Sequence, residues 1–316
     1  MKRVLSNKWS IAVFVLPTVL FFTYIVIIPI FKSLYYSMLS EIAAKVGDES
    51  TFVGLKNYIK MFTPGRRNAF PGAVLNSLKY AGLSVFVQLP FSLMIALILA
   101  NGVKGESMYR NIYFIPVVIS SVVISLLWQR IYKDLVPAIY DIFGMTLPKN
   151  GFLGNKDTKL MAVFLPSLWQ FVGYHMLLMY GALKSIPSDV IEAATVDGAS
   201  APRMALSIQI PMIKPMLKVC LSFSLIGSFK LFDTPWILLE RSNMQLPALS
   251  MYVEMFSNHK YSYASAQAMF IVFECLAFTM LLNFLFKDRD GNILKRKGRA
   301  AACCSTPDHF RGETAF

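Results

Sequence analysis

Six long stretches of this chain carry almost no charged side chain, and a water-soluble fold has no use for six of them in 316 residues. Ser10 to Phe31 runs 22 residues without a charge behind Lys2, Arg3 and Lys8, enough helix to cross ~30 Å of hydrocarbon. It is too long for a cleaved signal peptide and does not end in small residues, so it is expected to remain as the first span. Tyr80 to Ala100 supplies 21 residues, Asn111 to Gln129 supplies 19 and Leu160 to Leu183 supplies 24. The fifth run is the shortest. Only Val219 to Phe229 is free of charge, so its helix is expected to start near Pro215 and to carry Lys218 as a snorkelling flank. Ser262 to Phe286 closes the series, interrupted only by Glu274. In hydrocarbon every backbone amide must be bonded within the protein, and uncharged runs near twenty residues long do this as helices, so the fold class is all-α, a polytopic membrane protein of about six transmembrane helices.

The connecting segments give the organisation. Residues 39 to 72 and 130 to 159 read as polar loops, and Asn101 to Arg110 is too short to leave the membrane surface far behind. With six spans both ends share a side. The N-terminus, 101–110, 184–218 and 287–299 hold fifteen Lys and Arg in roughly 65 residues, against thirteen in just under 100 on the opposite face. That density places the first set in the cytoplasm. The expected layout is a cytoplasmic N-terminus (1–9), a six-span domain (10–286) and a basic cytoplasmic tail (287–316) whose last residues, from Ala300, are expected to be disordered. A net charge of +13 would suit nucleic acid, but the basic residues are dispersed between apolar runs, so membrane lipid is the expected partner and nucleic acid is not. Cys220 and Cys275 lie in apolar runs and Cys303 and Cys304 are adjacent, which fits neither a zinc site nor a disulfide framework, and no metal is expected.

One segment between spans has a shape of its own. In 188–215, Ser188 is suited to cap a short helix with Asp189 at its positive end, and Asp197-Gly198 supplies a stop where the chain turns left-handed. Ser200 is suited to start a second helix, with Pro202 tolerated in its first turn. The result is a bent knuckle suited to another protein's groove.

The chain lacks the signatures of catalysis. It has no Gly-x-x-x-x-Gly-Lys-Ser/Thr phosphate loop, no Ser-His-Asp order, no His-Glu-x-x-His and no series of carboxylates within its spans. It is not expected to be an enzyme, to carry catalytic residues or to bind a cofactor itself, and any ATP-driven role requires another subunit. Glu274 stands near the middle of the sixth run, where contact with lipid would cost at least ~2.5 kcal/mol, so it is expected to face protein or a wet cavity. Trp128, Gln129, Gln170, Tyr174 and His175 set flat rings beside amides in the third and fourth runs, and Phe229 and Asp233 close the fifth. Such groups serve either as helix contacts or as a sugar path, because apolar sugar faces stack on rings while hydroxyls seek donors and acceptors.

Glu192-Ala193-Ala194, Asp197-Gly198-Ala199, Ile208, Pro211 and Pro215, at their present spacing, resemble the cytoplasmic "E-A-A" loop of ABC-importer permeases that work with a soluble binding protein. Phe52 to Tyr58, Asn76-Ser77-Leu78, Tyr109-Arg110, Phe114-Ile115-Pro116, Leu183 to Pro187, Phe232-Asp233 and Tyr261 to Ala266 are similar to the carbohydrate-uptake branch. The resemblance covers residues 10 to 286. It implies a type I ABC importer permease fold and an importer of a sugar or oligosaccharide, with a phosphorylated polyol or sugar acid as the alternative cargo. It further implies a second homologous permease, two cytoplasmic ATPase subunits holding ATP and Mg, and an extracytoplasmic solute-binding protein. By the same resemblance 185–214 is the coupling loop, with Glu192, Ala193, Ala194, Asp197, Gly198, Ala199, Arg203 and Met204 facing the ATPase. Ala205 stands where the family places a large aromatic, which shifts docking onto Met204 and Leu206.

Overall fold

In the computed structural model, residues 8–41, 50–63, 70–144, 151–155, 158–239 and 246–286 are described. The segment before Lys8 and the basic tail from 287 onward lie outside the described residues. Among the described residues five helices are long and apolar enough to span a membrane: α1 (Val13–Ser37), α3 (Phe70–Ala100), α6 (Lys159–Lys184), α9 (Lys214–Phe229) with its short continuation α10 (Asp233–Leu238) and α12 (Tyr261–Leu285). A bent pair, α4 (Glu106–Val118) and α5 (Ser121–Ile142), whose axes differ by 93°, has together the length and composition for a sixth. Among the described residues no strand forms; Leu39 and Phe52 make an isolated antiparallel bridge.

The spans carry a regular defect with a sequence cause. Of the five single π turns among the described residues, Thr23–Ile27, Ser84–Gln88, Ile131–Leu135 and, in the segment after α6, Ala205–Gln209 are each followed two residues later by a proline, Pro29, Pro90, Pro137 or Pro211; Val253–Ser257 is not. A proline ring crowds the carbonyl four residues before it and offers no N–H; one residue of slack relieves the clash without ending the helix. The helices continue through these prolines.

Three sequence expectations are corrected here. The run Asn111 to Gln129 is not one straight span, because Ile119 is extended (φ −77°, ψ 137°) and Ser120 begins a new helix, its hydroxyl accepting the Val122 N–H at 3.3 Å. The stretch from 130 is not a loop at once, since α5 continues through Ile142. Within 39–72, α2 (Lys56–Phe62) is helical and is tied to the end of α1 by Asn57, whose Nδ2 donates to the Ser37 and Leu39 carbonyls at 2.9 and 2.8 Å.

The core joins the helices on either side of the knuckle. Leu89, Ala96 and Leu99 of α3 pack on Met176, Met179 and Leu183 of α6 and on Cys220 of α9. A second cluster sets Tyr80 and Phe164 edge to face, 5.6 Å between ring centroids, beside Leu238 and Leu249 of the segments that follow α9. α1 is different: its apolar length is unburied, and its later half leans on α12. Apolar surface left open over a full span is what lipid or a further membrane chain would cover.

Candidate functional site

A cavity of about 490 Å³ lies between α3, α6 and α9. Each helix contributes one face to it. Tyr80, Ser84 and Gln88 follow one another at i, i+4 and i+8 along α3; Ser167, Phe171 and Tyr174 do so at i, i+4 and i+7 along α6. Phe223, Ser224, Gly227 and Ser228 of α9 complete the wall, and Lys230 and Asp233 stand where α9 gives way to α10. Val117 and Ser121 flank the break between α4 and α5 and also face in.

The polar groups of this wall are buried among rings. Ser228 Oγ lies 3.3 Å from Ser84 Oγ, joining α9 to α3, and Gln88 Nε2 lies 3.3 Å from His175 Nδ1, joining α3 to α6. That histidine nitrogen also lies 3.0 Å from the Phe171 carbonyl. Ser224 Oγ is buried yet has no hydrogen-bond partner among the described residues. A buried hydroxyl without a partner is costly, by about 1–3 kcal/mol, and a polar guest that bonds to it recovers that cost. Tyr174 and Phe223, with ring centroids 6.3 Å apart, line the same cavity. Chemically the wall can hold a ring with one apolar face and several hydroxyls.

The structure brings Tyr174, His175 and Asp233 to this cavity and places the other path candidates elsewhere. Gln170 turns to the third span, its Nε2 donating to the Ile119 carbonyl at 3.1 Å and to Ser121 Oγ at 3.3 Å. Gln129 Nε2 donates to the Ile237 carbonyl at 3.0 Å, and Trp128 packs against Tyr132. Phe229 is buried against Phe278. Glu274 is buried with Oε2 unpartnered among the described residues, but does not line the cavity. Sequence reasoning passed over Ser84, Gln88, Ser224 and Ser228. Their signal was polar residues at helical spacing inside otherwise apolar runs.

The knuckle consists of α7 (Ser188–Val196) and α8, residues 201–212. Its turn is the expected left-handed one: Gly198 has φ +76°, its N–H donates to the Thr195 carbonyl at 3.0 Å, and the Ala199 N–H reaches the Ala194 carbonyl at 3.0 Å. Ser188 does not cap, a correction, because Pro187 occupies the capping position and Ser188 is already helical. Glu192, Ala193, Asp197, Gly198 and Arg203 are exposed, and Ala199 is half-buried. Ala194 and Met204 turn inward, so the apolar surface offered outward is Val196, 87% exposed, and Leu206, 67% exposed. Gln209 Nε2 donates to Asn101 Oδ1 at 3.2 Å, which ties α8 to the turn between α3 and α4.

Residues 88–288 match the family model described as "Binding-protein-dependent transport system inner membrane component". The chain belongs to this family. It is 30% identical over 290 residues to the probable ABC transporter permease protein YurN of Bacillus subtilis, covering 89% of this chain and 97% of that one. It is 26% identical to the multiple sugar-binding transport system permease protein MsmF of Streptococcus mutans, over 85% and 92% of the two chains. Among solved structures, a chain of a bacterial alginate ABC transporter in complex with alginate pentasaccharide-bound periplasmic protein superposes with a TM-score of 0.76 at 20% identity, covering 90% of this chain and 96% of that chain. The fold is therefore that of a type I ABC importer permease, an inner-membrane transport component.

Proposed function

We propose that this chain imports a sugar or oligosaccharide, forming half of the pathway beside a second, homologous permease. Two cytoplasmic ATPase subunits, which hold ATP and Mg, supply the energy, and an extracytoplasmic binding protein delivers the cargo. Both termini and the knuckle lie in the cytoplasm, and the 185–214 loop seats in the ATPase through Glu192, Arg203 and the apolar Val196 and Leu206. Closure of the ATPase pair moves the knuckles, α6 and α9 follow, and the cavity between them opens outward; hydrolysis reverses the motion.

The observation that carries the cargo class is the cavity wall, where the rings of Tyr174 and Phe223 share the lining with the unpartnered Ser224 hydroxyl. A phosphorylated polyol or sugar acid asks for clustered cations. Lys230 is the one cation among the described lining residues, and Asp233 stands three residues away. The names of the relatives, a multiple-sugar permease and an arabinooligosaccharides permease among them, point the same way.

Uptake of radiolabelled neutral and acidic saccharides into vesicles holding the assembled transporter tests this reading. Ser224→Ala and Phe223→Ala are expected to raise KM for the transported saccharide about tenfold, since one buried hydrogen bond or ring contact is worth roughly 1–1.5 kcal/mol. Wild-type kinetics in both variants, or transport of acidic cargo only, would sink it. Uptake that persists without the ATPase subunits would instead favour an ion-coupled carrier acting alone.

A further inference from the structure

A helix that breaks inside a membrane leaves carbonyls at one end and amides at the other without partners, and such backbone survives only where protein or a wet cavity satisfies it. The break between α4 and α5 is satisfied locally on its amide side, where Ser120 accepts the Val122 N–H, and by α6 at the Ile119 carbonyl. Gln170, 4% exposed, gives its amide to the Ile119 carbonyl and to Ser121 Oγ, on the two sides of the break. Farther along α6, Gly173 lets the backbones touch: a Cβ there would stand 1.8 Å from the Tyr113 carbonyl oxygen. Farther still, Glu106 at the start of α4 accepts from the Tyr180 hydroxyl and from Lys184 Nζ, the latter at 3.1 Å. Residues 170, 173, 180 and 184 fall along one helical stripe, and α4 runs antiparallel along it.

From these ties we infer that Gln170 is a positioning residue which makes α6 and the broken third span move as one body. The consequence follows from connectivity. α6 runs through Ser185–Pro187 into α7, while Val117 and Ser121, beside the break, form part of the cavity wall. A displacement of the knuckle thus reaches two walls of the cavity together: the α6 wall of Ser167, Phe171 and Tyr174, and the wall at the break. Gln170 holds these walls in register without touching cargo. The inference rests on the coupling role proposed for the knuckle.

The test uses the complete transporter in lipid vesicles, with spin labels in place of exposed side chains at Ile115 on α4 and Leu165 on α6, and a second pair at Leu165 and Val196. In the wild type the 115–165 distance is expected to be single and unchanged between the nucleotide-free state and the ATP-bound state held from hydrolysis by removing Mg. Gln170→Met keeps the bulk and removes both donors. It is expected to broaden the 115–165 distribution at least twofold while the 165–196 pair keeps its width, a selective effect that general loosening would not give. A wild-type 115–165 distance that shifts by a helical turn with nucleotide overturns the inference, as does a Gln170→Met distribution as narrow as the wild type's. The wild-type comparison stands even where the variant fails to assemble. A failed coupling reading looks different: the knuckle's contact with the ATPase ignores nucleotide, yet Gln170→Met still broadens the first pair.

Discussion

Single residues decide how closely these helices approach, and Gly173 is the sharpest case. Its Cβ position is occupied by the Tyr113 carbonyl oxygen, which is backbone and cannot swing aside. Gly173→Ala must therefore push α4 from α6, and overpacking of this kind costs about 1–3 kcal/mol or more. The expected outcome is a clearly lowered melting temperature of the purified complex and a reduced yield of assembled transporter; an unchanged melting temperature would mean that the two helices do not meet this closely. Nothing in the sequence marked Gly173, because close backbone approach is a property of two segments distant in the chain. Gln170 shows the same limit. Its residue type made it a fair candidate for touching cargo, and only the break at Ile119 explains why its amide turns to backbone instead.

Elements were legible where a local cause acts. The left-handed Gly198 follows from turn chemistry within a few residues, and α8 starts after Ser200 as expected, although that hydroxyl makes no capping bond. The break in the third span was less legible: hydropathy averages over it, although Pro116 and the Ser120-Ser121 pair stood in the run. The helix from 130 to Ile142 was lost for a related reason, since charge in Arg130, Lys133 and Asp134 marks the end of a hydrocarbon crossing but not the end of a helix. At the knuckle the turn can be tested as an element. Gly198→Pro removes the N–H that bonds the Thr195 carbonyl and forbids the positive φ, while Glu192→Lys leaves the turn intact and reverses an exposed charge. Both are expected to leave the chain in the membrane and to abolish co-purification with the ATPase or its coupling to uptake, about tenfold or more. Normal uptake in either, with the ATPase bound, would remove the knuckle from the coupling path.

At the scale of the whole molecule, the proposed orientation rests on how lysine and arginine divide between the loops, and the fold gives that division positions to probe. Val196 at the tip of the knuckle is 87% exposed, and Phe256, after α11 (Pro247–Tyr252) and before α12, is 57% exposed. They lie on opposite sides of α9 and α10 in the chain, so a protein that crosses the membrane between 214 and 238 must present them to opposite compartments. Residue 300, in the basic tail, should share the side of Val196, because α12 crosses once more after Phe256. In a background with Cys220, Cys275, Cys303 and Cys304 replaced by serine, single cysteines at 196 and 300 are expected to react with a membrane-impermeant maleimide only in inverted vesicles. A single cysteine at 256 is expected to react from outside intact cells. Labelling of 196 and 256 from the same side would deny that α9 and α10 span the bilayer, whereas the reverse pattern would keep the six-span fold and place the knuckle where no cytoplasmic ATPase could reach it.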